Sequence, residues 1–168
     1  NVTFGEKYDN IDLFGVLWID NNGNDTPIIG LRIGFSEGVF SLTKVYEVLP
    51  PTIASDYTGD DHYIDFDNKA MVQASYNVVT LTGQGAAGSA RATRGDILLQ
   101  VYSFSGDFSD GNFTLVKSFT IPRIWALQGG RLRNGILYLL GGTSDSNNGI
   151  FVYNIYTEKL LGVIDLRN

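Results

Sequence analysis

Along this chain apolar residues recur in short alternating runs separated by polar or glycine-rich turns, and no window sustains the i, i+3, i+4, i+7 spacing of an amphipathic helix. Alternation with period 2 sends successive side chains to opposite faces of a strand, so each run offers one face to a core. The first run is Leu13 to Ile19. The turn Asp20-Asn21-Asn22-Gly23-Asn24-Asp25 follows, and its Asn and Gly residues tolerate the positive φ of tight hairpins. The chain returns through Ile28 to Ile33 and, after Ser36-Glu37-Gly38, through Phe40 to Val48.

Three segments then read as copies of one hairpin: Ile29 to Val48, Leu98 to Ile121 and Ile150 to Leu166. Each has an alternating strand, a polar turn and a second strand of the form apolar-x-apolar. Their starts are 69 and 52 residues apart, irregular but near the repeat of about 40–50 residues, with loop insertions, expected of propeller blades. Between them lie two more hairpins. Tyr63 to Lys69 turns into Met71 to Tyr76 and Val78 to Leu81, and Gly129 to Leu140 folds about Asn134-Gly135. Pairing each with the hairpin that follows predicts four-stranded units, the arrangement by which radial repeats keep sheet edges short.

The stretch Trp125 to Leu166 resembles a blade of bacterial secreted β-propeller proteins. The matching residues are Gln128-Gly129, Asn134-Gly135-Ile136-Leu137-Tyr138, Val152-Tyr153-Asn154-Ile155, Thr157, Lys159 and Ile164-Asp165-Leu166. Phe113 to Ile121 and Ile64 to Tyr76 fit more loosely. The resemblance implies an all-β fold of four-stranded antiparallel blades, with residues 1–168 forming one propeller-like domain or fragment of about three blade-equivalents. Propellers close with at least four blades, so the expectation is a piece of a longer propeller, or else an unusual small closure or an open sheet stack. A β-sandwich with long hairpins is the alternative architecture.

Composition narrows the function. Apolar residues make up 43 %, enough for a sizeable core. A net charge of −6 disfavours nucleic acid as partner, because phosphate binding needs a basic surface. The absence of cysteine removes disulfides, thiolate metal sites and Cys nucleophiles together. Asn1-Val2-Thr3 opens the chain without a basic or apolar leader, which reads as a mature or trimmed form. Ala70 to Ala90 is the longest uncharged stretch, and its Gln, Asn, Ser, Thr and Gly content is not that of a membrane span.

Several motifs invite chemistry. Gly83-Gln84-Gly85-Ala86-Ala87-Gly88 spells a dinucleotide fingerprint, but too few residues separate it from the strand at Ile97 for the helix that site requires, and it reads as a flexible loop. Arg94-Gly95-Asp96 has the form of an adhesion triplet and is read as turn chemistry before a strand. Asp56, Asp60, Asp61, Asp65 and Asp67 surround the lone His62. They read as turn-forming residues of a loop, because their spacing misses the calcium-loop pattern. One histidine cannot make a two-His metal site, and no G-x-S-x-G or H-E-x-x-H is present. Only Glu6, Glu37, Glu47 and Glu158 supply glutamate, so a Glu-based acid/base pair has few candidates. The N-x-[ST] sequons at Asn1, Asn24 and Asn112 fall at expected loops or the terminus.

The ligand-binding candidates are therefore Trp125, Arg123, Gln128 and His62. In the resembling family, residues 122–129 form a connection between blades. Trp125 there can stack on a sugar while Arg123 and Gln128 hydrogen-bond it. The alternative role for Trp125 is burial between blades, and Trp18 is assigned to the core. No catalytic residue, metal or cofactor is assigned. The function expected is a non-enzymatic binding or scaffold module, exported to the periplasm, cell surface or extracellular space, with a glycan, small molecule or protein as ligand. A propeller hydrolase or lyase using carboxylates near the channel is the alternative. Exposed sheet edges that pair with another chain are a further expectation.

Overall fold

The computed structural model describes residues 2–4, 11–16, 27–36, 39–52, 57–78, 94–124, 127, 129–141 and 148–166. They form three four-stranded antiparallel sheets, each a meander in chain order. The first comprises β1 (Val2–Phe4), β2 (Ile11–Val16), β3 (Ile28–Ser36) and β4 (Val39–Val48). The second comprises β5 (Tyr57–Asp65), β6 (Ala70–Val78), β7 (Arg94–Phe104) and β8 (Phe113–Ile121). The third comprises β9 (Gly129–Arg133), β10 (Ile136–Gly141), β11 (Gly149–Asn154) and β12 (Lys159–Asp165). The all-β class and the grouping of hairpins into four-stranded units agree with the hydrophobic pattern. No described helix is long and apolar enough to cross a membrane.

Three strands depart from the pattern, the first being β1, which precedes the first expected run at Leu13. β5 was expected from Tyr63 but begins at Tyr57, because Asp60, Asp61 and His62 pair with Ser75, Ala74 and Gln73 of β6. Asp is a poor strand residue in isolation, and here cross-strand pairing overrides that preference. The register slips between Thr58 and Asp60, leaving Gly59 as the extra residue. β7 likewise begins at Arg94, which pairs with Val78, so the Arg94-Gly95-Asp96 triplet is strand and not loop.

Within the second sheet β6 is buried on both faces, whereas most of β8 is exposed. Ala70, Val72, Ala74 and Tyr76 of β6, with Ile97, Leu99 and Val101 of β7, share a core with Leu132, Leu137, Leu139, Tyr153 and Ile155 of the third sheet. Met71, Ile64, Tyr102 and Phe104 point the other way and share a core with Ile28 and Val48 of the first sheet. Each fully buried Leu or Ile in these layers contributes about 1.5–3 kcal/mol relative to exposure. A β-sandwich has two such layers, whereas three are stacked here.

A feature absent from the pattern closes the second core. The β7–β8 hairpin contains a 3-10 turn, Phe108–Asp110, whose capping box is made by Asp107 and Asp110. It drives Phe108 against Phe104, Phe113 and Phe66 at ring-centroid distances of 5.1, 5.3 and 5.5 Å, all edge-to-face.

The second and third sheets are also clasped by polar contacts. Asp65, buried at the end of β5, accepts hydrogen bonds from the Asn68 backbone N–H (3.2 Å) and Nδ2 (2.8 Å). It also accepts the Asn134 backbone N–H at 2.6 Å, across to the β9–β10 turn. Asn68 Nδ2 additionally donates to Asn134 Oδ1 at 2.9 Å. That turn has φ of 50° at Asn134 and 74° at Gly135, the geometry for which Asn-Gly is suited. A Cβ at Gly135 would run into the Tyr156 ring, so glycine is required there on two counts. At the opposite margin Lys117 Nζ of β8 reaches Glu158 Oε1 (2.9 Å) and the Tyr156 carbonyl (2.8 Å).

Replacing Asp65 by Ala removes the acceptor of the Asn68 and Asn134 backbone N–H groups, while Asn68 Nδ2 keeps its bond to Asn134 Oδ1. Asn68 and Asn134 are themselves exposed and water replaces part of the loss, so the expected destabilisation is about 1–2 kcal/mol. Urea denaturation checks this. Lys117→Ala, at a partly exposed pair, is expected to cost under about 1 kcal/mol in the same measurement.

Candidate functional site

Among the described residues, every buried polar or charged side chain lies on β5 or β6: Asp61, His62, Asp65, Gln73 and Ser75. Strand alternation divides them between the two faces of the second sheet. Asp61, Tyr63 and Asp65 face the third sheet, while His62, Gln73 and Ser75 share the face of Ile64 and Met71 toward the first.

On the third-sheet side the Tyr76 hydroxyl donates to Asp61 Oδ2 at 2.6 Å, and both groups are buried. A charge-assisted bond of this length compensates for burying the carboxylate. Tyr63 lies beside them, 1 % exposed, and its hydroxyl has no hydrogen-bond partner among the described residues. Burial, followed by the Asp61 charge and Tyr76, holds the Tyr63 phenol well above its ordinary pKa, so it stays protonated. Its ring also sets the approach of the third sheet. A Cβ at Gly130 of β9 would collide with the Tyr138 carbonyl and with the Tyr63 ring, so glycine lets β9 lie against β5.

On the other side a polar row crosses three strands, with His62 opposite Gln73 and Gln73 opposite Gln100. Gln73 Nε2 donates to the Pro51 carbonyl at 3.0 Å, tying the row to the segment after β4. Ser75 Oγ and Gln100 Oε1 are buried without a partner among the described residues. Desolvation lowers the His62 pKa to about 4, with Asp61 opposing the shift, so the imidazole is neutral at pH 7.

This arrangement supports strands more readily than it supports chemistry. Ser75 and His62 occupy one face while Asp61 points to the other, so the three do not form a relay in which a carboxylate orients the histidine behind a nucleophile. No group of three or more His, Cys, Asp or Glu is placed to hold a metal ion among the described residues.

The acidic cluster is corrected in its setting: Asp60, Asp61 and His62 lie inside β5 and not in a loop, while Asp56 lies outside the described residues. His62 is 1 % exposed, enclosed by the sheets and closed to an external ligand in this arrangement. Arg123 is half-buried on the connection between β8 and β9. Trp125 and Gln128 lie outside the described residues, as do Trp18, the Asp20–Asp25 turn, the glycine-rich 83–88 segment and the sequons at Asn1 and Asn24. Ile124 and Leu127, which bracket Trp125, are both buried in the core shared by the second and third sheets. The structure therefore brings His62 together with Gln73. Gln73, Ser75 and Tyr76 escaped sequence reasoning. Their signal was two polar residues at alternate positions within the apolar run 70–76, which marks a polar row on one strand face.

Comparison of the chain with protein-family models, with curated proteins and with solved structures finds no match.

The buried histidine carries a pH dependence of defined sign. Its folded pKa, about 4, lies below the unfolded value of 6.5, so the unfolded chain binds the extra proton between those limits. The associated stability is complete above pH 6.5 and is lost as pH falls toward 4, a span equivalent to roughly 3 kcal/mol. Denaturant titrations from pH 7 to pH 4 are expected to show this decline, and His62→Gln is expected to flatten it.

Proposed function

We propose that the three sheets are consecutive blades of a β-propeller and that the chain serves as a non-enzymatic binding or scaffold module of an exported protein. The observation carrying this reading is that the second sheet shares one core with the first sheet and another, on its opposite face, with the third, with the leading strands β5 and β9 in contact. Radial stacking of four-stranded meanders produces that pattern. The outer face of the third sheet extends it. Cross-strand pairing places Leu140, Ile150 and Ile164 in one row and Tyr138 beside Val152, with Tyr138 and Leu140 each 38 % exposed. An apolar face of this kind suits a further blade.

A binding role is favoured over hydrolysis by what the inner polar groups do. Asp61 and Asp65 are buried in hydrogen bonds that hold strands and turns together, and His62 is neutral and enclosed. The connection after β8 is the better ligand platform, because Ile124 and Leu127 anchor it while Arg123 stays partly accessible. A glycan is the first ligand class to test, since Trp125 supplies a stacking ring and Arg123 and Gln128 supply hydrogen bonds.

A glycan-array screen followed by calorimetry on the best hit tests this reading. Trp125→Ala and Arg123→Ala are each expected to weaken binding at least tenfold, about 1.4 kcal/mol, with melting temperature unchanged. Glycan cleavage by the purified protein, abolished by Asp61→Asn without unfolding, would overturn it in favour of an enzyme.

A further inference from the structure

In the β9–β10 turn an asparagine carboxamide precedes a residue with no side chain. Nothing on Gly135 obstructs the approach of its backbone nitrogen to Asn134 Cγ, the carbon one five-membered ring away. Asn134 is exposed, so water reaches whatever forms there. Among the described residues the Gly135 nitrogen enters no backbone hydrogen bond of the turn.

What restrains the pair is the second sheet. The Asn134 backbone N–H donates to Asp65 Oδ2 at 2.6 Å, and Asn68 Nδ2 donates to the same oxygen at 2.8 Å. Asn68 Nδ2 also donates to Asn134 Oδ1 at 2.9 Å. These bonds close a ring through the backbone nitrogen and the side chain of one residue. The ring fixes the carboxamide on the side of its own N–H, facing the second sheet, and opposes the rotation that attack by Gly135 requires. Gly135 is itself buried against the Tyr156 ring, with its carbonyl accepting the Ile155 N–H at 3.0 Å.

We propose that Asn134 is a site of self-modification, deamidating through a succinimide at a rate set by opening of this hydrogen-bonded ring. The bond from the Gly135 nitrogen to Asn134 Cγ forms, the Cγ–Nδ2 bond breaks, and the amide leaves as ammonia with the Gly135 proton. Water then opens the imide. Attack at Cγ gives aspartate, and attack at the Asn134 main-chain carbonyl carbon gives isoaspartate. No oxidant or reductant is involved. Aspartate sets a second carboxylate across Asn68 Nδ2 from Asp65, a like-charge pair that weakens the clasp. Isoaspartate lengthens the main chain by one methylene inside a two-residue turn, whose geometry tolerates no insertion. Either product loosens the third sheet from the second, and neither reverts. The inference does not rest on the propeller or ligand reading.

Incubation of the full chain in mildly alkaline buffer, with peptide mapping by mass spectrometry, tests it. Folded protein is expected to convert at Asn134 at least tenfold more slowly than the chain in urea. Asn68→Ala leaves the backbone bonds to Asp65 in place and is expected to speed conversion several-fold. Asn148-Gly149, at the opposite end of the third sheet, serves as the internal reference and is expected to keep its rate. Converted protein, separated by ion exchange, is expected to melt below its parent. Asn134→Gly keeps the donor to Asp65 and the positive φ but lacks the amide, so its melting temperature is expected to stay constant over the incubation. Three results would overturn the proposal: an Asn134 that stays intact in the folded protein while the urea-denatured chain converts, or converts equally fast in both; a rate unmoved by Asn68→Ala, or raised equally at Asn148; or converted protein that melts like its parent.

Discussion

The structure depends on β6, at the centre of the second sheet, having no face left for solvent. A four-stranded meander with apolar residues on alternate positions normally buries one side and wets the other. β6 buries both: Ala70 through Tyr76 are all buried, and neighbours cover both faces. The first and third sheets hold their positions because each completes half of that burial. Small side chains at Ala70 and Ala74, with glycine at Gly130, allow the third sheet to approach closely. The bulky set of Met71, Tyr102, Phe104 and Phe108 fills the opposite gap.

Burial on both faces drives several polar residues of the inner strands into hydrogen bonds with neighbours, although the Tyr63 hydroxyl and Ser75 Oγ are buried without a partner among the described residues. Asp61 with Tyr76, Asp65 with Asn68 and Asn134, and Gln73 with Pro51 are the result. An unpaired buried group costs as much as several ordinary hydrogen bonds contribute, so these residues specify which strand and which turn must lie alongside. They act as registration marks in an otherwise greasy stack. A structural polar network and an active site can share residue types. They differ in whether the groups converge on a space that a substrate can enter.

Much of the fold was legible in period-2 alternation, because strands with one face on a core write their pattern directly into sequence. Asn134-Gly135 announced its turn correctly, since both residues must adopt positive φ. β5 was only half legible. Asp60, Asp61 and His62 resemble loop residues by propensity, and only Ser75, Ala74 and Gln73 across the ladder make them strand. The candidate site suffered from the same gap. His62 was visible as a chemically special residue, but its burial is set by a sheet contributed from elsewhere in the chain. Gln73 and Ser75 stood within an apolar run whose alternation recorded that they share a face, yet not that the face is enclosed.

The clasp at Asp65 has a further consequence, for the order of events in folding. Its acceptor and the Asn134 donor are 69 residues apart, while each turn it joins is local. Short hairpins close quickly, whereas a contact across so long a loop waits until its ends have been brought together. The two turns are therefore built separately and locked afterwards. A bond made late in folding must be broken early in unfolding, so this carboxylate lengthens the life of the folded state more than it hastens its arrival.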